Sequence, residues 1–393
     1  MIAVKTLLKE PLARIFITLG FCFLTYSVLP IPFVQGALTI SIFLKNLLLF
    51  ALPLLILSGT ALAFASFKGN GLGFVITLMA IVILSNFCNL MISGMFGCYV
   101  IPYFAPNAAQ PVLATAPSIE PYYLPALPPL LPNAWALIIG ITSGLVHNFI
   151  HLSHWMKCLQ LIHRITLTFI LKVFIPALPL FLMGFILKLL VEGQMSQLIR
   201  NNGRSCTLMV GFLFLYLCLW WLTASRCGGI PAITLLKNIL PAIITGATTM
   251  SSAAALPFSI EAATRNTKNP VLANAVMPMT VNFHMLGDTI CIPILSLIIL
   301  HSFGMPMPSM STYFIFGLCF VMNKFAGAGI PGGSIMVSLP ILQHYFGFSE
   351  EMLALITAFY MLIDPMSTLC NVTANNFLII FIQRIWEKIT HKV

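Results

Sequence analysis

Apolar stretches long enough to cross a bilayer recur along the whole chain, and two of them are interrupted at their centres by small residues and proline. A span of about 20 apolar residues crosses a hydrocarbon core ~30 Å thick. Eight such spans are read at roughly 13–31, 40–66, 72–103, 122–150, 166–191, 207–225, 270–301 and 350–383. Two further stretches, 230–258 and 310–342, carry TTMSSAAALP (248–257) and AGAGIPGGS (326–334). In lipid every backbone polar group must be satisfied internally, so irregular backbone survives only where it is buried in protein or lines a cavity. The pattern therefore predicts an all-α polytopic membrane protein of eight transmembrane helices plus two re-entrant helical hairpins, 230–258 and 310–342. Two kinked ordinary helices are the competing reading of those stretches.

Composition agrees. The chain is 59% hydrophobic and 7% charged, against about 25% charged in soluble domains. The net charge of +10 is carried mainly at span ends, with no aromatic-interleaved basic platform, so no nucleic-acid partner is expected. Lys5, Lys9, Arg14, Lys68, Lys157, Arg164, Arg226, Arg265, Lys268, Arg384, Lys388 and Lys392 fall on one side, which the positive-inside rule makes cytoplasmic, both termini included. Arg200 and Arg204, in an expected outer loop at 192–206, break that rule. The basic-then-apolar start reads as a retained first helix rather than a signal peptide. The ten cysteines contain no CxxC pair, so no zinc knuckle or disulfide framework is expected.

The chain has only two aspartates, Asp288 and Asp364, and both lie inside apolar spans. A carboxylate there costs at least ~2.5–3.5 kcal/mol on insertion scales and usually faces a cavity, an ion or a substrate. Asp364, Thr368, Asn371 and Asn375 recur at i, i+4, i+7 and i+11, which makes one polar stripe on an otherwise apolar helix, with Ser367 beside it. Carboxylate, hydroxyl and amides on one face can hold an ammonium group or a cation. Asn282, His284 and Asp288 lie together in the seventh span; at i, i+4, His284 and Asp288 either relay protons or satisfy each other. Ser251 and Ser252 at the first tip offer hydroxyls and N–H groups to a carboxylate. The second tip, through Ile330, Pro331 and Gly332, lets backbone approach a ligand and move as a gate. His147, His151 and His154 have metal-like spacing but read as interfacial, and Glu10, Glu120, Glu192, Glu350, Glu351 and Glu387 read as solvated ends.

The order and spacing of TTMSSAAALP, the Pro278–Thr289 stretch, AGAGIPGGS and IDPMSTLCNVTANN, over about 230–383, resemble the dicarboxylate/amino acid:cation symporters, the family of the glutamate transporters. The first 225 residues fit its scaffold by hydropathy only. The resemblance implies a homotrimer with an elevator architecture. Residues 1–225 would be mostly scaffold, with spans three and six joining the transport domain, and 226–393 would be the transport core. Asp364 would hold a substrate amino group, Ser251, Ser252 and Asn371 its carboxylate, and Thr368 a further contact; Ile330, Pro331 and Gly332 would form the gate.

Departures from the family pattern carry information. Ser367 stands where members for acidic substrates have arginine, and Asp288 where a small hydroxyl residue is usual. A guanidinium clamp is lost and a carboxylate gained, which favours a neutral or even cationic amino acid, with Ser367, Thr368 and Asp288 shaping its selection. Leu286 and Asn375 replace two anionic sodium ligands. Coupling positions reduce to Asn282, His284, Met285, Asn371 and Asn375, for Na⁺ or for H⁺. The expectation is a cation-coupled amino acid symporter in a prokaryotic inner or a plasma membrane, with lipid and a small-molecule substrate as partners and no organic cofactor. A symporter of dicarboxylates or acidic amino acids, an uncoupled anion-conducting protein and a non-transporting paralogue are the alternatives. No GxSxG, HExxH or paired catalytic acids occur, so an enzyme is not expected.

Overall fold

The segment Leu286–Ser302 is apolar around its whole circumference, and such a helix has no face to give to water. In the computed structural model, which describes residues 11–65, 72–104, 119–122, 130–150, 153–327 and 332–390, it lies at the centre, buried at every residue except His301. Around it the described chain is mostly helical, with no strand among the described residues. The helices are α1 Pro11–Thr25, α2 Ile31–Ala65, α3 Leu72–Phe104, α4 Asn133–Phe149, α5 Ser153–Phe169, α6 Ile175–Val191, α7 Gln194–Gly228, α8 Ala232–Thr249, α9 Leu256–Thr267, α10 Pro270–Phe283, α11 Leu286–Ser302, α12 Met310–Gly327, α13 Gly333–Phe346 and α14 Glu350–Thr390. A π-helical turn, Ile170–Phe174, joins α5 to α6. It directly precedes Pro176 and Pro179, which offer no N–H to the preceding turn.

Seven described helical segments, two of them made of α5 with α6 and of α10 with α11, are long and apolar enough to cross a membrane; α1, α4 and α12 are shorter apolar helices. Large apolar side chains such as Leu24, Leu161, Leu215, Ile233 and Val271 point outward, as lipid-facing residues must. This is an integral membrane protein.

Both interrupted stretches fold as helical hairpins. The first, α8–α9, turns at Met250, whose φ of 51° is left-handed, and α9 restarts with Pro257 in its first turn, where a missing N–H costs nothing. Its second arm runs to Thr267, beyond the expected limit of 258. The second hairpin, α12–α13, likewise continues to Phe346 rather than 342.

Two expectations need correction, and one long span is broken. In the seventh span α10 ends at Phe283 and α11 begins at Leu286. The break is filled by Asn86 of α3, whose Nδ2 donates to the Phe283 carbonyl at 2.7 Å and whose Oδ1 accepts from the Met285 N–H at 3.1 Å. One amide thus satisfies two of the backbone groups that the helix interruption frees at depth. Residues 194–206 are not a loop but the first turns of α7, so Arg200 and Arg204 lie on a helix. Glu350 and Glu351 are not simply solvated: Glu350 pairs with Lys45 of α2, and Glu351 with Lys188 of α6 at 2.6 Å. Glu192 accepts from the Ile119 N–H at 3.2 Å.

Candidate functional site

Four elements converge beside the helix break: the tip of the first hairpin, the start of α11, the start of α13 and the middle of α14. Each arrives for a local reason. Gly287 lets α11 lie against α14, since a Cβ there would meet the Ser367 carbonyl oxygen at 2.2 Å. The Gly287 N–H, left without an intrahelical partner at the helix start, donates to Asn371 Oδ1 at 2.8 Å. Gly332, at φ 67°, caps α13 and donates its N–H to Asp364 Oδ2 at 3.0 Å.

These elements line a partly open cavity of about 30 Å³. Ser251, Ser252, Asp288, Asp364, Thr368 and Asn371, all singled out by the sequence, line it, and Met285 joins them. Ser367 lies behind, its hydroxyl donating to Asp288 Oδ1. Ile330 and Pro331 lie outside the described residues. So does the side chain of Asn282, whose backbone closes α10.

The two aspartates have different surroundings. Asp288 is saturated. Its Oδ1 accepts from the Tyr360 hydroxyl at 2.7 Å, from Ser367 and from Asn371 Nδ2 at 3.2 Å; its Oδ2 accepts from the Ser334 hydroxyl, with the Lys324 ammonium 4.0 Å away. A carboxylate offers about four lone-pair positions, and the protein itself supplies donors for them. Asp364 is less engaged. Beyond the Gly332 N–H, among the described residues it receives two longer contacts, from Tyr360 and Thr368, both at 3.3 Å. It is the cavity carboxylate with acceptor capacity to spare.

His284 and Asp288 do not form the pair that their spacing suggested. His284 sits in the break, off the helical register of α11. Its Nδ1 donates to Asn375 Oδ1 at 2.9 Å, and its Nε2 shares a hydrogen bond with the Ser85 hydroxyl at 2.9 Å. Asn375 is therefore bound to the imidazole, away from the cavity, and its Nδ2 has no partner among the described residues. Among the described residues no three His, Cys, Asp or Glu side chains are grouped as a metal site; His151 of the histidine triplet lies outside them.

Sequence reasoning missed Lys324, Ser334 and Tyr360. Two of them had a signal. Lys324 is the only charged residue in 310–342, as conspicuous there as either aspartate. Tyr360 precedes Asp364 by one turn and begins the polar stripe.

The profile of the sodium:dicarboxylate symporter family matches residues 12–385, and this chain belongs to that family. It is thus of a class of membrane symporters. Among individual proteins it is similar to the serine/threonine transporter SstT of Acinetobacter baumannii. In strains AYE and AB0057 the identity is 29% over 121 residues, covering 31% of this chain and 30% of the relative. The match therefore spans less than a third of the length of those curated relatives.

Proposed function

We propose that this protein is a cation-coupled symporter of a small neutral amino acid, of the serine or threonine kind. The observation that carries this reading is the distribution of charge at the cavity. Asp364 has free acceptor capacity for a substrate ammonium. The nearby cation, Lys324, is already engaged with Asp288 at 4.0 Å, and among the described residues no arginine lines the cavity, so none of them leaves a positive group to clamp a side-chain carboxylate. Ser251 and Ser252, next to the start of α9, suit the substrate carboxylate, because helix N-termini favour anions. The relatives named as serine/threonine transporters agree with this selectivity.

A cavity of about 30 Å³ holds a water or two, so an amino acid enters only when a hairpin moves aside. In our reading the eight-span, two-hairpin plan works as an elevator in a trimer. The two hairpins, α10, α11 and α14 move with α3 and α7 as the transport domain, against a scaffold in which α2 packs on α4, α5 and α6. Na⁺ is the coupling ion that the family implies, with Met285 and Asn371 beside the cavity as its nearest candidate positions.

Asp364→Asn tests the substrate assignment. The amide can still accept from the Gly332 N–H, so the fold is retained. Losing the charge from a buried ammonium–carboxylate pair costs about 2 kcal/mol or more, which is about 30-fold or more in serine Kd. An unchanged Kd in folded Asp364→Asn protein overturns the assignment.

A further inference from the structure

Lys324 is 1% exposed, on the inner side of α12, in a stretch without another charge. Its Nζ lies 4.0 Å from Asp288 Oδ2, 3.4 Å from the Ser334 carbonyl oxygen and 4.2 Å from the centroid of the Phe320 ring. A carboxylate, a carbonyl and an aromatic face are the surroundings that a bare monovalent cation seeks. Here the cation is covalently part of the hairpin.

The connections span the whole site. Lys324 belongs to α12, Ser334 to α13, Asp288 to α11, and Tyr360, Ser367 and Asn371 to α14. Through Asp288 the ammonium fastens both arms of the second hairpin to the two core helices. Without it, two carboxylates, Asp288 and Asp364, would face one cavity, and the second charge would have to be neutralised, by a mobile cation or a proton, whenever the hairpin closed. With it, a single negative charge remains for the substrate ammonium.

We propose that Lys324 is a tethered cation that permanently fills a monovalent-cation place at Asp288, so that closure of the second hairpin requires one mobile ion fewer. The proposal rests on the transporter reading for its meaning, but its test does not need substrate. Wild type, Lys324→Arg, Lys324→Met and the double variant Asp288→Asn/Lys324→Met are purified in NaCl and in choline chloride. Their melting temperatures are followed as NaCl replaces choline chloride from about 1 mM to about 100 mM at constant ionic strength, where a folded-state ligand stabilises by mass action.

Lys324→Met is expected to show a saturable Na⁺ stabilisation larger than any response that wild type and Lys324→Arg share. The double variant, having no unpaired Asp288 charge, is expected to lack that excess. A Lys324→Met protein that is equally unstable, or equally unrecoverable, in both salts reduces the lysine to packing and overturns the proposal. So does a Na⁺ response of the same size in the double variant. Serine binding, measured separately on wild type, decides the transporter reading: its absence sinks that reading without touching the Na⁺ comparison.

Discussion

The losses from removing Asp288 and from removing Lys324 should not add: removing both charges together should cost less than the sum of the two. At 4.0 Å and an effective dielectric constant of about 20, two unit charges attract by about 4 kcal/mol. Deleting one partner of a buried pair strands the other and typically costs about 3–5 kcal/mol. Asp288→Asn keeps an acceptor for Tyr360 and Ser367 but leaves a buried ammonium without its counter-ion. Lys324→Met keeps the side-chain volume and strands the carboxylate. Each single variant should therefore lose about 3–5 kcal/mol. The double variant should be more stable than the sum of the two losses predicts, by about 2–4 kcal/mol. The assay is equilibrium unfolding in mixed micelles at increasing SDS fraction, followed by tryptophan fluorescence and carried out in choline chloride so that no Na⁺ replaces the missing lysine. Additivity within about 0.5 kcal/mol would mean that the ammonium and the carboxylate do not act on one another, and would refute the charge arrangement on which the proposed selectivity depends.

Gly287→Ala forces a Cβ to within 2.2 Å of the Ser367 carbonyl oxygen, a backbone atom that cannot swing aside. Overpacking of this kind costs about 1–3 kcal/mol, so the unfolding midpoint should fall, and a wild-type midpoint would contradict the close approach of α11 and α14. His284→Ala leaves Asn375 Oδ1 and the Ser85 hydroxyl without the imidazole that they share. At about 1–3 kcal/mol for each orphaned buried group, stability should drop by about 2 kcal/mol or more while serine affinity stays within about threefold. A large loss of affinity with intact stability would instead place His284 in the coupling machinery.

The sequence made the hairpins legible because each tip is chemically unlike its arms. Met250–Ala255 and Gly327–Gly333 are runs of small residues inside apolar helices, and no continuous span tolerates them without a reason. The stripe on α14 was legible for the same kind of reason: Asp364, Thr368 and Asn371 repeat at helical spacing and do line one cavity. The break at His284 was hidden. Hydropathy is continuous through it, and two of its freed backbone groups are satisfied by Asn86, whose sequence separation from Met285 is 199 residues. The division of labour between the two aspartates was hidden too, because it depends on which hydroxyls and which lysine the fold brings to each. Ser334 and Lys324 reach Asp288 from opposite arms of one hairpin, and nothing in a linear spacing announces that meeting.

The central claim is that the cavity selects a neutral zwitterion. The most direct measurement is calorimetric binding of L-serine, L-threonine and L-aspartate to the purified protein in NaCl. Serine or threonine should bind saturably, with aspartate weaker by about 100-fold or more, because its second carboxylate finds no free cation. Tight aspartate binding with no response to serine or threonine would contradict it.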